Sequence, residues 1–142
     1  MSFVNERAVK AVRKAAQCCA CLKQVEVGEP AIRWAGVSDG DFSSVIYHPD
    51  CREAEIALNK LHGTLWDEWI AIWDLDWEDH RWLLETYPAV AERKGITLAE
   101  VEETEREREE ASRAWAEIDR KRREDAAAAL RARASLIEEE RS

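Results

Sequence analysis

Apolar and polar positions change their rhythm several times along the chain. Over residues 4–16, Arg7, Lys10, Arg13 and Lys14 recur at helical spacing beside Val9, Val12 and Ala16, which predicts a short basic amphipathic helix. Residues 22–47 mix β-branched side chains with Gly28, Pro30, Gly36 and Gly40, the punctuation of short strands joined as hairpins. His48-Pro49-Asp50 then opens a helix, since proline tolerates the first helical position and Asp50 suits the positive end of the dipole. Gly63 ends it. From Thr64 a helical rhythm runs to Glu85 or Thr86, with a break expected near Asp74–Asp76, and Tyr87-Pro88 closes it because the residue before proline disfavours the α region.

Within that stretch Trp66, Trp69, Ile70, Trp73 and Trp77 fall at steps of 3, 1, 3 and 4. On a helix they share an arc of about 100°. Such a stripe is either core or a partner groove, and Trp66, Trp69, Trp73 and Trp77 are the candidate partner-binding residues. A capping box at Thr97-Leu98-Ala99-Glu100 starts a last helix that extends towards Glu140, a span of roughly 65 Å at 1.5 Å per residue. Its apolar positions are sparse and the heptad lapses at Arg122 and Asp125, which argues against a two-stranded coiled coil. Glu102 with Arg106, Glu109 with Arg113 and Glu117 with Lys121 support a solvated single helix instead. Arg120-Lys121-Arg122-Arg123 offers a basic patch on it.

The chain has 142 residues, 46% of them apolar and 36% charged, with only five Gly and three Pro, a helix-rich composition of one ordinary domain or of a small domain with an appended helix. The net charge is −9. Residues 1–62 are neutral, with eight bases against eight acids, so the negative charge lies beyond them. Residues 64–79 hold six acids and no base, and 100–110 hold seven acids against Arg106 and Arg108. Those stretches would repel a phosphate backbone. No apolar run approaches the roughly 18 residues of a membrane span, and Met1–Arg7 lacks a signal-peptide pattern, so the expected compartment is the cytoplasm. Four cysteines in a reducing compartment point away from disulfides and towards metal ligation, redox chemistry or burial.

Their spacing selects metal. Cys18-x2-Cys21 and, after 26 residues, His48-x2-Cys51 make two bidentate pairs. Zn²⁺ takes four N/S ligands in a tetrahedron, and a two-residue gap lets one tight turn present both members of a pair. Cys51 in the first turn of a helix suits a thiolate. A redox Cys-x-x-Cys would want a βαβ context and would leave His48-x2-Cys51 unexplained. Cys19 is an alternative to Cys18 with a poorer bite, and His62 and His80 are reserve ligands. Three thiolates and one imidazole leave no open position, so one Zn²⁺ per chain would be structural.

Cys18-x2-Cys21, then Val25, Gly28 and Arg33, then Tyr47-His48-Pro49-Asp50-Cys51 resemble the PARP-type (poly(ADP-ribose) polymerase-type) zinc finger over about residues 17–62. The resemblance implies a hairpin between the ligand pairs, ligation by Cys18, Cys21, His48 and Cys51, and contact with DNA breaks or ends. By it Arg33 is the clearest phosphate contact; Lys23 and Trp34 are further candidates by their proximity to the motif alone, and Lys10 and Lys14 of the expected basic helix extend the set. The chain has no room for a polymerase domain, so ADP-ribosyl transfer is not implied.

The expected architecture is α+β and mostly helical. It comprises a basic helix and a treble-clef-like zinc module (1–63), a Trp-rich helical layer (64–90) and a long charged helix (95–142). The expected role is a non-enzymatic zinc module that contacts nucleic acid, DNA first, through hairpin and N-terminal basic residues. The alternative is a small acidic interaction or inhibitory factor, phage- or mobile-element-like, that engages a basic protein and mimics DNA.

Overall fold

The computed structural model describes residues 3–38, 40–64 and 68–141. It is mostly helical, with a small antiparallel sheet and a long C-terminal helix. Two compact units are present, 1–101 and 102–142.

The first unit begins with strands. β1 (Phe3–Val9), β4 (Ala31–Ser38) and β5 (Asp41–Tyr47) form one antiparallel sheet in the order β1-β4-β5, and β2 (Ala16–Gln17) pairs with β3 (Gln24–Val25) as a two-residue ribbon. The expected N-terminal basic helix is therefore corrected to a strand followed by a bend. Arg7 lies across from Arg33 and Glu6 across from Trp34, so long-range ladder bonds to β4 override the local helical spacing. Val12, in the bend, is buried; its amide donates to the Glu29 carbonyl and its carbonyl accepts from Gly28. The hairpin expected within 22–47 is present as β4 and β5.

Helix α1 (Pro49–His62) starts and stops where its sequence signals stand, with Pro49 in the first turn and Gly63 in the left-handed conformation at φ 63°. Cys51, Ala54, Glu55, Leu58 and Asn59 are its buried residues, a stripe of i, i+3, i+4 spacing. They meet a core that includes Val25, Ile46, Ile72, Leu83 and Val90.

Among the described residues, the helical rhythm expected from Thr64 becomes regular helix only at its end. Two single 3₁₀ turns, Ile72–Asp74 and Trp77–Asp79, precede a short helix α2 (His80–Thr86). The reason lies on α1, which offers hydrogen-bonding partners that hold the backbone in an irregular path. The Asn59 amide nitrogen donates to the Ile70 carbonyl at 2.8 Å, and its oxygen accepts from the Ile70 amide at 2.7 Å and the Thr64 hydroxyl at 2.6 Å. The Glu55 carboxylate, 2% exposed, accepts from the Trp69 indole at 2.8 Å and from the Ile72 amide at 3.3 Å. It also accepts from Tyr47 Oη at 3.0 Å and Arg52 at 3.2 Å. Buried acceptors satisfied four times over are stable only with every donor in place. The Trp stripe dissolves as a result. Trp66 lies outside the described residues, Trp69 and Trp73 are 41% and 54% exposed, and Ile72 is the fully buried residue between them.

Pro88 does end α2, and it also starts a helix that sequence reasoning missed, α3 (Pro88–Lys94), capped by Gly95 at φ 84°. Pro at the start and Gly past the end are the signal that marks it. The last helix, α4 (Leu98–Arg141), begins as expected, with the Glu100 amide donating to Thr97 Oγ1 at 3.2 Å. No helix among the described residues is long and apolar enough to cross a membrane.

Candidate metal centre

The four residues of the two spaced pairs converge. Cys18, Cys21, His48 and Cys51 are all buried, and their ligand atoms all lie within 4.8 Å of one another, close enough to hold one metal ion.

Local structure explains the convergence. β2 and β3 present a tight turn in which the Cys18 amide donates to the Lys23 carbonyl and the Leu22 amide donates back to the Cys18 carbonyl. Leu22 takes φ 66°, a conformation that ordinary side chains avoid. The turn is tied to the sheet edge by the Cys19 amide, which donates to the Ile46 carbonyl at 2.8 Å. Two residues on, β5 runs into His48, and the extended His48 hands the chain to α1, whose first turn carries Cys51. One pair thus sits on a ribbon and the other on a helix start, each held by backbone bonds that do not involve the ligands' side chains.

The donor atoms fit a tetrahedral zinc site. Bond lengths of about 2.3 Å to sulfur and about 2.0–2.1 Å to nitrogen place neighbouring ligand atoms roughly 3.5–3.8 Å apart. His48 Nδ1 is 3.4 Å from Cys21 Sγ and 3.8 Å from Cys51 Sγ. The other ring nitrogen, Nε2, is 3.2 Å from the Gln24 carbonyl. That acceptor selects the tautomer with the proton on Nε2 and leaves Nδ1 with its lone pair towards the sulfurs.

Surrounding donors favour thiolates. The amides of Ala20 and His48 each approach Cys18 Sγ at 3.4 Å, and an Arg93 guanidinium nitrogen lies 3.3 Å from Cys51 Sγ. Cys18 and Cys51 share a hydrogen bond that splits their acidities. It draws the Cys18 thiol down to about 4, against the upward push of burial, and raises Cys51, where burial acts in the same direction. Two thiolates this close repel, so the pair readily loses its first proton and resists losing its second. A bound divalent cation reverses that balance and favours all the sulfurs as thiolates.

Arg93 is the part of the centre that sequence reasoning missed. It comes from α3 and also pairs with Asp50. Burial lowers its basicity, but its hydrogen bonds to Cys51 and Asp50 outweigh that and raise it, so it stays cationic beside the sulfurs. Zn²⁺ with three thiolates and a neutral imidazole carries a net −1, and the Arg93 guanidinium, shared with Asp50, offsets part of it. The Pro88-to-Gly95 helix signal was the route to Arg93; no spacing rule points to it.

The remaining candidates lie elsewhere. Cys19 is half-buried and outside the cluster, with its thiol raised chiefly by burial. His62 Nε2 meets Asp79 at 2.9 Å, and His80 Nε2 meets the Leu75 carbonyl at 3.3 Å. Of the basic candidates, Lys10, Lys14, Lys23 and Arg33 are exposed. Trp34 packs half-buried against the core, and alternation along β4 places it on the face opposite Arg33. Trp77 is half-buried.

Beside the knuckle lies an open groove of about 580 Å³, lined among others by Gln17, Cys19, Leu22, Arg33 and Trp73. Lys94 Nζ donates to the Trp73 carbonyl at 3.0 Å, which fixes the backbone while the indole stays exposed. Compared with known proteins, the chain matches no family model, no curated protein and no solved structure.

Proposed function

We propose that Cys18, Cys21, His48 and Cys51 hold one structural Zn²⁺ per chain, and that the module it folds is a non-enzymatic, cytoplasmic DNA-binding unit of the PARP-type finger kind. The observation that carries the metal is the buried Cys₃His cluster. With no open coordination position the ion's part is to fold the chain. Support for nucleic acid comes from the groove beside the knuckle, where an exposed guanidinium and an exposed indole line one depression. Arg33 suits a phosphate, with Arg7 across from it in the ladder as a second cation, and Trp73 suits stacking on an unpaired or terminal base.

The test is fluorescence anisotropy of the zinc-loaded chain with a duplex bearing a single-stranded end. Arg33→Ala should weaken binding across sequences and lower the salt slope by about 1. Trp73→Ala should weaken the frayed duplex more than a blunt one. Absence of binding at low salt, with a basic protein co-purifying instead, would support the acidic-factor reading, to which the exposed acids of residues 100–110 belong.

A further inference from the structure

The α4 helix carries large apolar side chains in the open. Trp115, Ile118 and Leu136 are 66%, 45% and 60% exposed, costly for a solvated helix. From residue 108 these three fall into a heptad frame whose inner positions are Arg108, Ala111, Trp115, Ile118, Arg122, Asp125, Ala129, Ala132, Leu136 and Glu139, while Leu130 and Ile137, 67% and 46% exposed, stand one position outside it. Its polar interruption, Arg122 with Asp125, stands at the centre. Neither residue has an ion-pair partner among the described residues, whereas the neighbouring Arg113, Arg120 and Arg123 each pair with an acid of their own helix.

The sequence of this face is complementary to its own reverse. Reflected about the midpoint between Arg123 and Glu124, Arg122 meets Asp125, Ile118 meets Ala129, Trp115 meets Ala132, Ala111 meets Leu136 and Arg108 meets Glu139. Each large side chain faces a small one, and each charge faces its opposite. Of the positions flanking this face, Ala114, Ala126, Ala128 and Ser135 are small, and the charged Asp119, Lys121 and Arg133 fall opposite small residues in the same reflection. A parallel alignment would instead stack Arg122 on Arg122 and Asp125 on Asp125, with Trp115 against Trp115. We propose that residues 108–139 of α4 pair with the same residues of a second copy of this chain, antiparallel, about a two-fold axis at that midpoint. The partner is a second copy because an isologous contact needs one surface to fit itself, and here size and charge both do. The Arg122–Asp125 layers then set orientation and register, as polar core residues do in coiled coils.

Sedimentation equilibrium of the zinc-loaded full chain over a wide concentration range tests this. A dimer is expected. Arg122→Glu and Asp125→Arg should each weaken it by about 10- to 100-fold, because one substitution makes both symmetry-related layers like-charged. The double variant should recover the original dissociation constant. An independent exchange of size, Trp115→Ala alone and then with Ala132→Trp, should lose and regain dimerisation in the same way. Circular dichroism and zinc content confirm that each variant keeps its helix and its metal module. A chain that stays monomeric throughout, or that holds a different protein on this face, overturns the proposal. So does a dimer indifferent to the single changes, or one that the paired changes fail to rescue.

Discussion

The knuckle at residues 18–22 and the Trp-rich segment at 68–79 are both irregular, and α1 fastens both, with different chemistry. At its first turn α1 brings His48 and Cys51 to the sulfurs of Cys18 and Cys21. In its middle, Glu55 and Asn59 fix the second segment through hydrogen bonds to Trp69, Ile70 and Ile72. The first attachment gathers four ligand atoms close enough to hold an ion from outside; the second is complete within the chain. Loops without regular secondary structure thus become as fixed as helices once their backbone groups are given buried partners.

The sharpest way to break the comparison is to remove the metal. Structural zinc contributes roughly 10–16 kcal/mol of apparent folding free energy in small peptides. Chelation, Cys51→Ser or His48→Ala should therefore abolish cooperative melting of residues 1–101, while the helical circular dichroism of 102–142 persists in part. Metal content by mass spectrometry should fall from one ion per chain to none. Equal melting temperatures with and without metal would sink the centre.

The second attachment should be weaker but still large. Glu55→Ala leaves the Ile72 amide and the Tyr47 hydroxyl buried without their acceptor and takes a partner from the Trp69 indole, while Arg52 keeps Glu6, at a cost of about 3–5 kcal/mol. Zinc binding at low temperature should survive this change, which separates the two attachments. A loss of zinc in proportion to the loss of stability would show instead that they act as one.

These attachments also show what was legible in the sequence. Ligand pairs are readable because metal geometry demands a short bite, so Cys18-x2-Cys21 and His48-x2-Cys51 carry their own evidence. The helix ends at His48-Pro49 and Gly63 are readable for the same reason: the determinant is local. Residues 4–9, helical by local spacing, form a strand because their determinant is β4, more than twenty residues away in sequence. Residues 68–79 were misread because Glu55 and Asn59, on another element, decide their path. Helical spacing of tryptophans says nothing about an acceptor elsewhere that competes for their backbone.

A moderate effect belongs to Arg93, which stands outside both attachments but beside the first. Arg93→Met removes the cation at Cys51 Sγ while keeping most of the side chain's volume. Zinc affinity, measured by competition with a chelator, should fall about 10- to 100-fold, the usual effect of losing an outer partner of a ligand. Circular dichroism of the zinc-saturated protein should be unchanged. An unaltered affinity would mean that solvent and the backbone amides at the sulfurs already balance the site's charge.

The smallest effect is the most informative about function. Leu22 is held at φ 66° and is 51% exposed, so it contributes little burial and occupies a left-handed conformation that costs an L-residue roughly 1–2 kcal/mol. Leu22→Gly relieves that strain and gives back about 0.5–1 kcal/mol in chain entropy, for a net stabilisation of up to about 1 kcal/mol in thermal melts. Strain kept at an exposed position is a sign of use, and Leu22 lines the groove with Arg33 and Trp73. The same variant should therefore bind the frayed duplex more weakly while melting higher. If it melts higher and binds unchanged, Leu22 serves the turn alone, and the groove's floor is made by Trp73 without it.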